Sequence, residues 1–240
     1  MKQPFRSNLL PIFPAAAGIL GLCLRLWLFS MIDEKGLLPA KHFADAALYI
    51  LAAITLAVLY LAARELTPRR IGKQFYHLSG ILGCLLGGIG MILTGIGQFP
   101  AGSARLSGVA AIAGIVGGIV LLGMTVLKFF RKRVSYGFYV VFTVCMMIDT
   151  VAQCQTWGSA SQLQEYFFPL MASIFLILSA YHTTFLAAGQ GKPHLLVFFS
   201  QGALFFCCVC LNTPRWPLYL GMLFWAAAQL YPHIRKRKEA

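Results

Sequence analysis

The chain has 240 residues, 59% hydrophobic and 11% charged, with a formal net charge of +13. Soluble domains run at about 45–50% apolar and about 25% charged, so this composition excludes a cytosolic globular enzyme, a secreted disulfide scaffold and a nucleic-acid-binding module. Apolar runs of about 20 residues cross a bilayer, and such runs nearly fill this chain.

Long apolar stretches bounded by charge, Pro or Gly predict an all-α polytopic bundle of eight spans in a single integral membrane domain, 1–240. The spans fall roughly at 12–32, 44–64, 76–97, 107–128, 136–156, 167–188, 194–213 and 216–232. The first is preceded by Lys2 and Arg6 and contains Ala15-Ala16-Ala17. Its apolar run outlasts the 7–15 residues of a signal peptide core, so an uncleaved helix is expected. Arg25 lies inside it, eight residues before Asp33.

Spans three and four are glycine-rich: thirteen of the 23 glycines lie between Gly80 and Gly123. Gly83-x-x-x-Gly87 and Ala110-x-x-x-Gly114-x-x-x-Gly118 form grooves that let helix backbones approach closely in lipid. They predict a tight third–fourth hairpin, with a homo-oligomer or partner-helix face through Gly83, Gly87, Gly114 and Gly118 as the alternative. Aromatics follow the opposite trend, 22 of 32 coming after Lys128. Tyr136, Trp157, Tyr166, Trp216 and Tyr231 fall at span ends, as in an aromatic belt.

Span five carries Asp149, with Cys145, Gln153 and Thr156 on about the same helical face. Asp149 lies eight residues before Trp157, so Arg25 and Asp149 are each about 12 Å below the same surface at 1.5 Å per residue. Buried opposite charges are far cheaper paired than apart, which predicts an Arg25–Asp149 ion pair if spans one and five are neighbours. Span six carries His182 beside Ser179 and Thr183, near the opposite surface. Gln201 in span seven and Gln229 in span eight reach a comparable level, which predicts an inner polar cluster of interhelical hydrogen bonds or a substrate site.

Basic residues set the orientation. With the N-terminus cytoplasmic, fifteen cations fall inside: Lys2, Arg6, Arg64, Arg69, Arg70, Lys73, Lys128, Arg131, Lys132, Arg133, Lys192 and the tail from Arg235 to Lys238. Four fall outside: Lys35, Lys41, Arg105 and Arg215. This is a strong positive-inside bias, and an even span count leaves both termini cytoplasmic.

No metal or cofactor is expected. The chain has no HExxH pair, its Gly189-Gln190-Gly191-Lys192 lacks P-loop spacing, and no GxSxG elbow occurs. All seven cysteines fall within spans, where cysteine behaves as a small apolar residue. That holds for Cys207-Cys208-Val209-Cys210 too, which has no basic neighbour in sequence. Size and span count resemble the eight-span lysoplasmalogenase-type membrane hydrolases in architecture. Those enzymes are associated with paired intramembrane acidic residues, whereas this chain offers Asp149 alone at depth. The small basic polytopic character is also similar to that of many bacterial inner-membrane proteins.

The leading functional expectation is a permease-like or transport-associated protein in the cell membrane, moving a small solute or ion without its own ATPase. Its candidate binding or proton-coupling residues are Asp149, Arg25, His182, Gln201 and Gln153. The alternatives are an intramembrane lipid-modifying enzyme and a non-catalytic scaffold subunit. The expected surroundings are the lipid bilayer and no nucleic acid.

Overall fold

The structure, a computed structural model, describes residues 9–31, 43–64, 78–99, 105–132, 134–157 and 164–234. Among them are eight α-helices and no strand: α1 Leu9–Phe29, α2 Phe43–Arg64, α3 Leu78–Gln98, α4 Arg105–Phe129, α5 Tyr136–Trp157, α6 Gln164–Ala187, α7 Pro193–Val209 and α8 Trp216–Ile234. They coincide with the eight predicted spans. Seven are long and apolar enough to cross a membrane. The exception is α8, which carries Pro217, Gln229, Pro232 and His233.

Local sequence accounts for several helix ends. α6 stops at Gly189, whose φ of +84° suits a residue without Cβ, and Gln190 N–H bonds back to Phe185 O at 2.9 Å. α4 closes the same way through Arg131 at φ +53°, with Lys132 N–H donating to Leu127 O. Pro193 opens α7 at a first-turn position where its missing N–H costs nothing. Six threonine hydroxyls inside the spans are satisfied within their own helices: Thr94, Thr125, Thr143, Thr150, Thr183 and Thr184 each donate to the carbonyl four residues back.

The α7–α8 hairpin forms the interior of the bundle. α7 packs on α1, α2, α6 and α8, while α8 lies along α3. α3, α4, α5 and α6 follow one another around the periphery. The deepest side chains include Trp225 and Tyr219 of α8, Phe142 of α5 and Phe205 and Phe206 of α7. The late-chain aromatics form a continuous ladder through the α6–α7 seam, Phe168–Phe206–Phe175–Phe199–His182, with centroids 5.1–6.3 Å apart.

The glycine grooves are divided between two partners. Gly114 and Gly118 face α3, as the hairpin prediction requires, but Gly83 and Gly87 face Ala228 and Trp225 of α8. The third–fourth hairpin is thus half of a three-helix packing unit. Backbone contact without intervening side chains lets dispersion and close packing hold α3 between two partners in lipid.

The last hairpin is also recessed. Pro217 backs onto Gly90, which lies eight residues before Gln98, so the α7–α8 turn is about 12 Å deeper than the end of α3. α7 has 17 residues and continues as one 3₁₀ turn, Cys210–Asn212, before the chain turns back.

Candidate functional site

Asp149 is 3% exposed and bound on several sides. Arg215, from the recessed turn, meets it in a bidentate pair, Nη2 to Oδ1 at 2.7 Å and Nη1 to Oδ2 at 3.1 Å. Gln153, one turn along α5, donates Nε2 to Oδ2 at 2.7 Å. With its amide oxygen turned toward the guanidinium, Gln98 accepts from Arg215 Nη2 at 2.8 Å and Nε at 2.9 Å. One network therefore ties α3, α5 and the α7–α8 turn together at the end where α1, α3, α5 and α7 finish, the outer end in the predicted orientation. Fork-to-carboxylate geometry is the strong form of this contact. Beneath it, the buried hydroxyl of Tyr219 has no hydrogen-bond partner among the described residues.

The predicted Arg25–Asp149 pair does not form. Arg25 and Asp149 lie at the same end of the bundle, but α1 packs on α7 and α2 while α5 packs on α4 and α6, and Asp149 is taken by an arginine that the sequence assigns to a surface connector. Arg25, 4% exposed, has a different task. Its Nη2 donates to Glu165 O at 3.2 Å and its Nη1 to Val209 O at 3.3 Å, with Cys210 Sγ at 3.4 Å. Each carbonyl lacks its α-helical i+4 donor. Pro169 lies four residues after Glu165 inside α6 and has no N–H to give, and Val209 ends α7. A cation at a helix C-terminus is also favoured by the dipole. The guanidinium lies 5.4 Å from the Phe29 ring centre and 6.0 Å from that of Phe168. Around it opens a small cleft lined by Asp45, Leu48, Glu165 and Phe168 among others.

Arg25→Met is expected to cost less stability in a Pro169→Ala background than in the native chain, because an alanine at that position restores an N–H that can donate to Glu165 O. A double-mutant cycle on thermal unfolding in detergent should give a coupling of about 0.5–3 kcal/mol, the range for residues sharing a network. Additivity would refute it.

His182 lies toward the opposite end, and Gln201 stands at the middle of α7. His182 is half-buried and stacks on Phe199 at 5.1 Å and 8°. Gln201 is fully buried in α7 beside Ser200, whose hydroxyl meets that of Ser179 at 2.8 Å. The Ser179–Ser200 bridge is an interhelical hydrogen bond between α6 and α7, through a serine the sequence reading did not single out.

Two cations also depart from their predicted place as loop charges. Arg215 is largely buried in the ion pair, and Lys128 is buried between α3 and α4 with Nζ 3.1 Å from Cys84 Sγ. Thr156 and the tail from Arg235 to Lys238 lie outside the residues whose side chains are described. Among the described residues no cluster of His, Cys, Asp and Glu has the makings of a metal site.

No protein-family model matches the chain, and neither a curated protein nor a solved structure matches it. What fold and composition define is a class, the multi-pass α-helical membrane protein.

Proposed function

We propose that the protein is a permease-like carrier of a small solute or ion in a cell membrane, of the bacterial inner type and with both termini cytoplasmic, working without its own nucleotide hydrolysis. The observation that carries this reading is the Asp149–Arg215 pair on the floor of the recessed turn. Desolvating two charges costs several kcal/mol per ion, and a well-packed apolar pair would often hold a bundle as well or better. Ionisable residues kept inside a membrane domain therefore point to a pathway or coupling role. Here the pair joins elements that are separate along the chain, α5 and the α7–α8 turn. Opening it would admit solute past Gln98 and Gln153; closing it would seal the outer end. His182, Gln201 and the Ser179–Ser200 bridge would line the inner half of the route, and Arg25 would hold the outer end of α7 while the pair opens.

Asp149→Asn tests this. It keeps volume and one acceptor oxygen but exchanges the other for an NH2 donor and removes the charge, so uptake in cells or proteoliposomes should fall by about tenfold or more, about 1.4 kcal/mol in the rate-limiting step, with Gln98 still accepting from Arg215. Unchanged uptake would end the carrier reading.

One observation favours a second reading, an enzyme acting on a lipid. Asp45 of α2 and Glu165 of α6 line one cleft beside Arg25, and α2 and α6 are linked mainly through rings, Tyr49 to Phe167 at 5.1 Å and to Phe168 at 5.5 Å. Two carboxylates near a cation could divide acid and base roles. Lipid turnover lost in Asp45→Asn and kept in Asp149→Asn would select this reading over transport.

A further inference from the structure

Lys128 and Cys84 form a pair that neither functional reading uses. The lysine is 2% exposed and the cysteine 1%. Cys84 lies in the second turn of α3 and Lys128 in the last turn of α4, so both are near the end of the bundle predicted to be cytoplasmic. Nζ donates to Sγ at 3.1 Å, with Tyr139 of α5 the other polar group acting on the amine. Among the described residues no carboxylate forms an ion pair with Lys128. A buried ammonium ordinarily takes a carboxylate; here the nearest acceptor is a sulfur.

The contact is also chemically special among the seven cysteines. Cys210 is the other one beside a cation, but that cation is the guanidinium of Arg25, which does not deprotonate in proteins. Cys145, Cys207 and Cys208 are buried with no hydrogen bond to a cation among the described contacts, and Cys23 and Cys154 are exposed on helices in the spanning region. Among the described contacts, only at Cys84 does a nitrogen that can release its proton and act as a nucleophile touch the sulfur. Sulfenic acids condense with nearby nitrogen nucleophiles to S–N bonds.

We propose that Cys84 and Lys128 are a peroxide-reactive thiol–amine site that closes to a reversible sulfenamide cross-link between α3 and α4. In the first step hydrogen peroxide oxidises the Cys84 sulfur by two electrons, giving the sulfenic acid and one water. In the second, the Lys128 ammonium first releases a proton; its free amine nitrogen then attacks that sulfur, the S–O bond breaks, an S–N bond forms, and the departing hydroxide leaves as water with a second proton from nitrogen. In sum, thiol, ammonium and peroxide give the S–N–H link, two waters and one released proton. A thiol reductant reverses it by attack on sulfur. Hydrogen peroxide is small enough to enter a packed bundle end, and the amine already touches the atom it must attack. The inference stands apart from both transport and lipid chemistry, since its readout is covalent.

The test is peptide mapping by mass spectrometry of the full-length protein in detergent, purified reduced and exposed to dilute hydrogen peroxide. The expected product joins the Cys84 and Lys128 peptides at a mass two hydrogens below their sum. It should vanish on thiol treatment and be absent from both Cys84→Ser and Lys128→Arg. Exposed Cys23 and Cys154 serve as internal controls, oxidising without any lysine link. Should the variants fail to accumulate, the native chain still decides. Cys84 converted to sulfinic acid without a cross-link would overturn the proposal, as would a Cys84 left reduced when Cys23 and Cys154 are consumed.

Discussion

Arg215→Ala is expected to be among the most damaging single changes in the chain, destabilising it by about 3–5 kcal/mol, the cost of breaking a buried pair from one side. Asp149 would remain with Gln153 as its described partner and with no cation, at a depth where bulk water cannot replace the lost fork. Arg215→Lys should recover only part of the loss, because a point charge replaces two parallel bonds and the contact to Gln98. The double change Asp149→Leu with Arg215→Leu should be far milder than Arg215→Ala, since it removes both desolvation penalties together. Unfolding in detergent, followed by circular dichroism or protease resistance, ranks the three. If Arg215→Ala unfolds like the native protein, the pair is not a structural clamp. If the double Leu protein folds but does not transport, the pair is retained for work rather than for stability, as the carrier reading requires.

The second large effect is expected at the α3–α8 contact. A Cβ on Gly90 would collide with the backbone carbonyl of Pro217, and one on Gly221 would approach Leu86 O to 2.5 Å. Neither obstacle is the end of a flexible side chain, so relief requires the helices to separate. Gly90→Val or Gly221→Val should therefore cost at least the 1–3 kcal/mol typical of overpacking, and more if α8 loses its seat and the recessed turn shifts with it. Gly97→Ala is the contrasting change. A Cβ there meets nothing within 4 Å, and alanine favours a helix interior by about 1 kcal/mol, so its stability should hold or rise. A Gly90→Val protein that unfolds no earlier than Gly97→Ala would mean that the close approach does not hold the bundle.

Because Arg215 and Gly221 lie six residues apart on one hairpin, the two experiments also bear on each other. Gly221→Val should weaken the ion pair indirectly, by moving the turn that presents Arg215 to Asp149. Arg215→Ala should leave the α3–α8 contact intact, since that contact is made by backbone below the turn.

Much was legible in the residues alone. Eight helices, seven of them long and apolar enough to cross a membrane, follow from composition and punctuation, because in lipid a helix is the simplest way to satisfy every backbone group. Spacing was legible as well: helical periodicity put Gln153 on the face of Asp149, one turn along α5, where it donates to the carboxylate. Adjacency was not. Which helices touch depends on how small-residue faces and ring-rich faces sort themselves over the whole bundle, and the sorting sets α1 against α7 rather than α5. Hence Asp149 was recognised while its partner Arg215 was counted as a surface charge, and Lys128 was counted among loop cations while it is enclosed beside Cys84. A proline gave a local clue to the fate of Arg25, since Pro169 leaves one carbonyl in α6 without a donor, but only packing brings that carbonyl within reach of a guanidinium 140 residues away in the chain. Hydrophobicity along the chain decides how many times it crosses and how deep each charge lies, being a property of each segment alone. Contact between segments decides which charges meet, and that is a property of the assembled bundle.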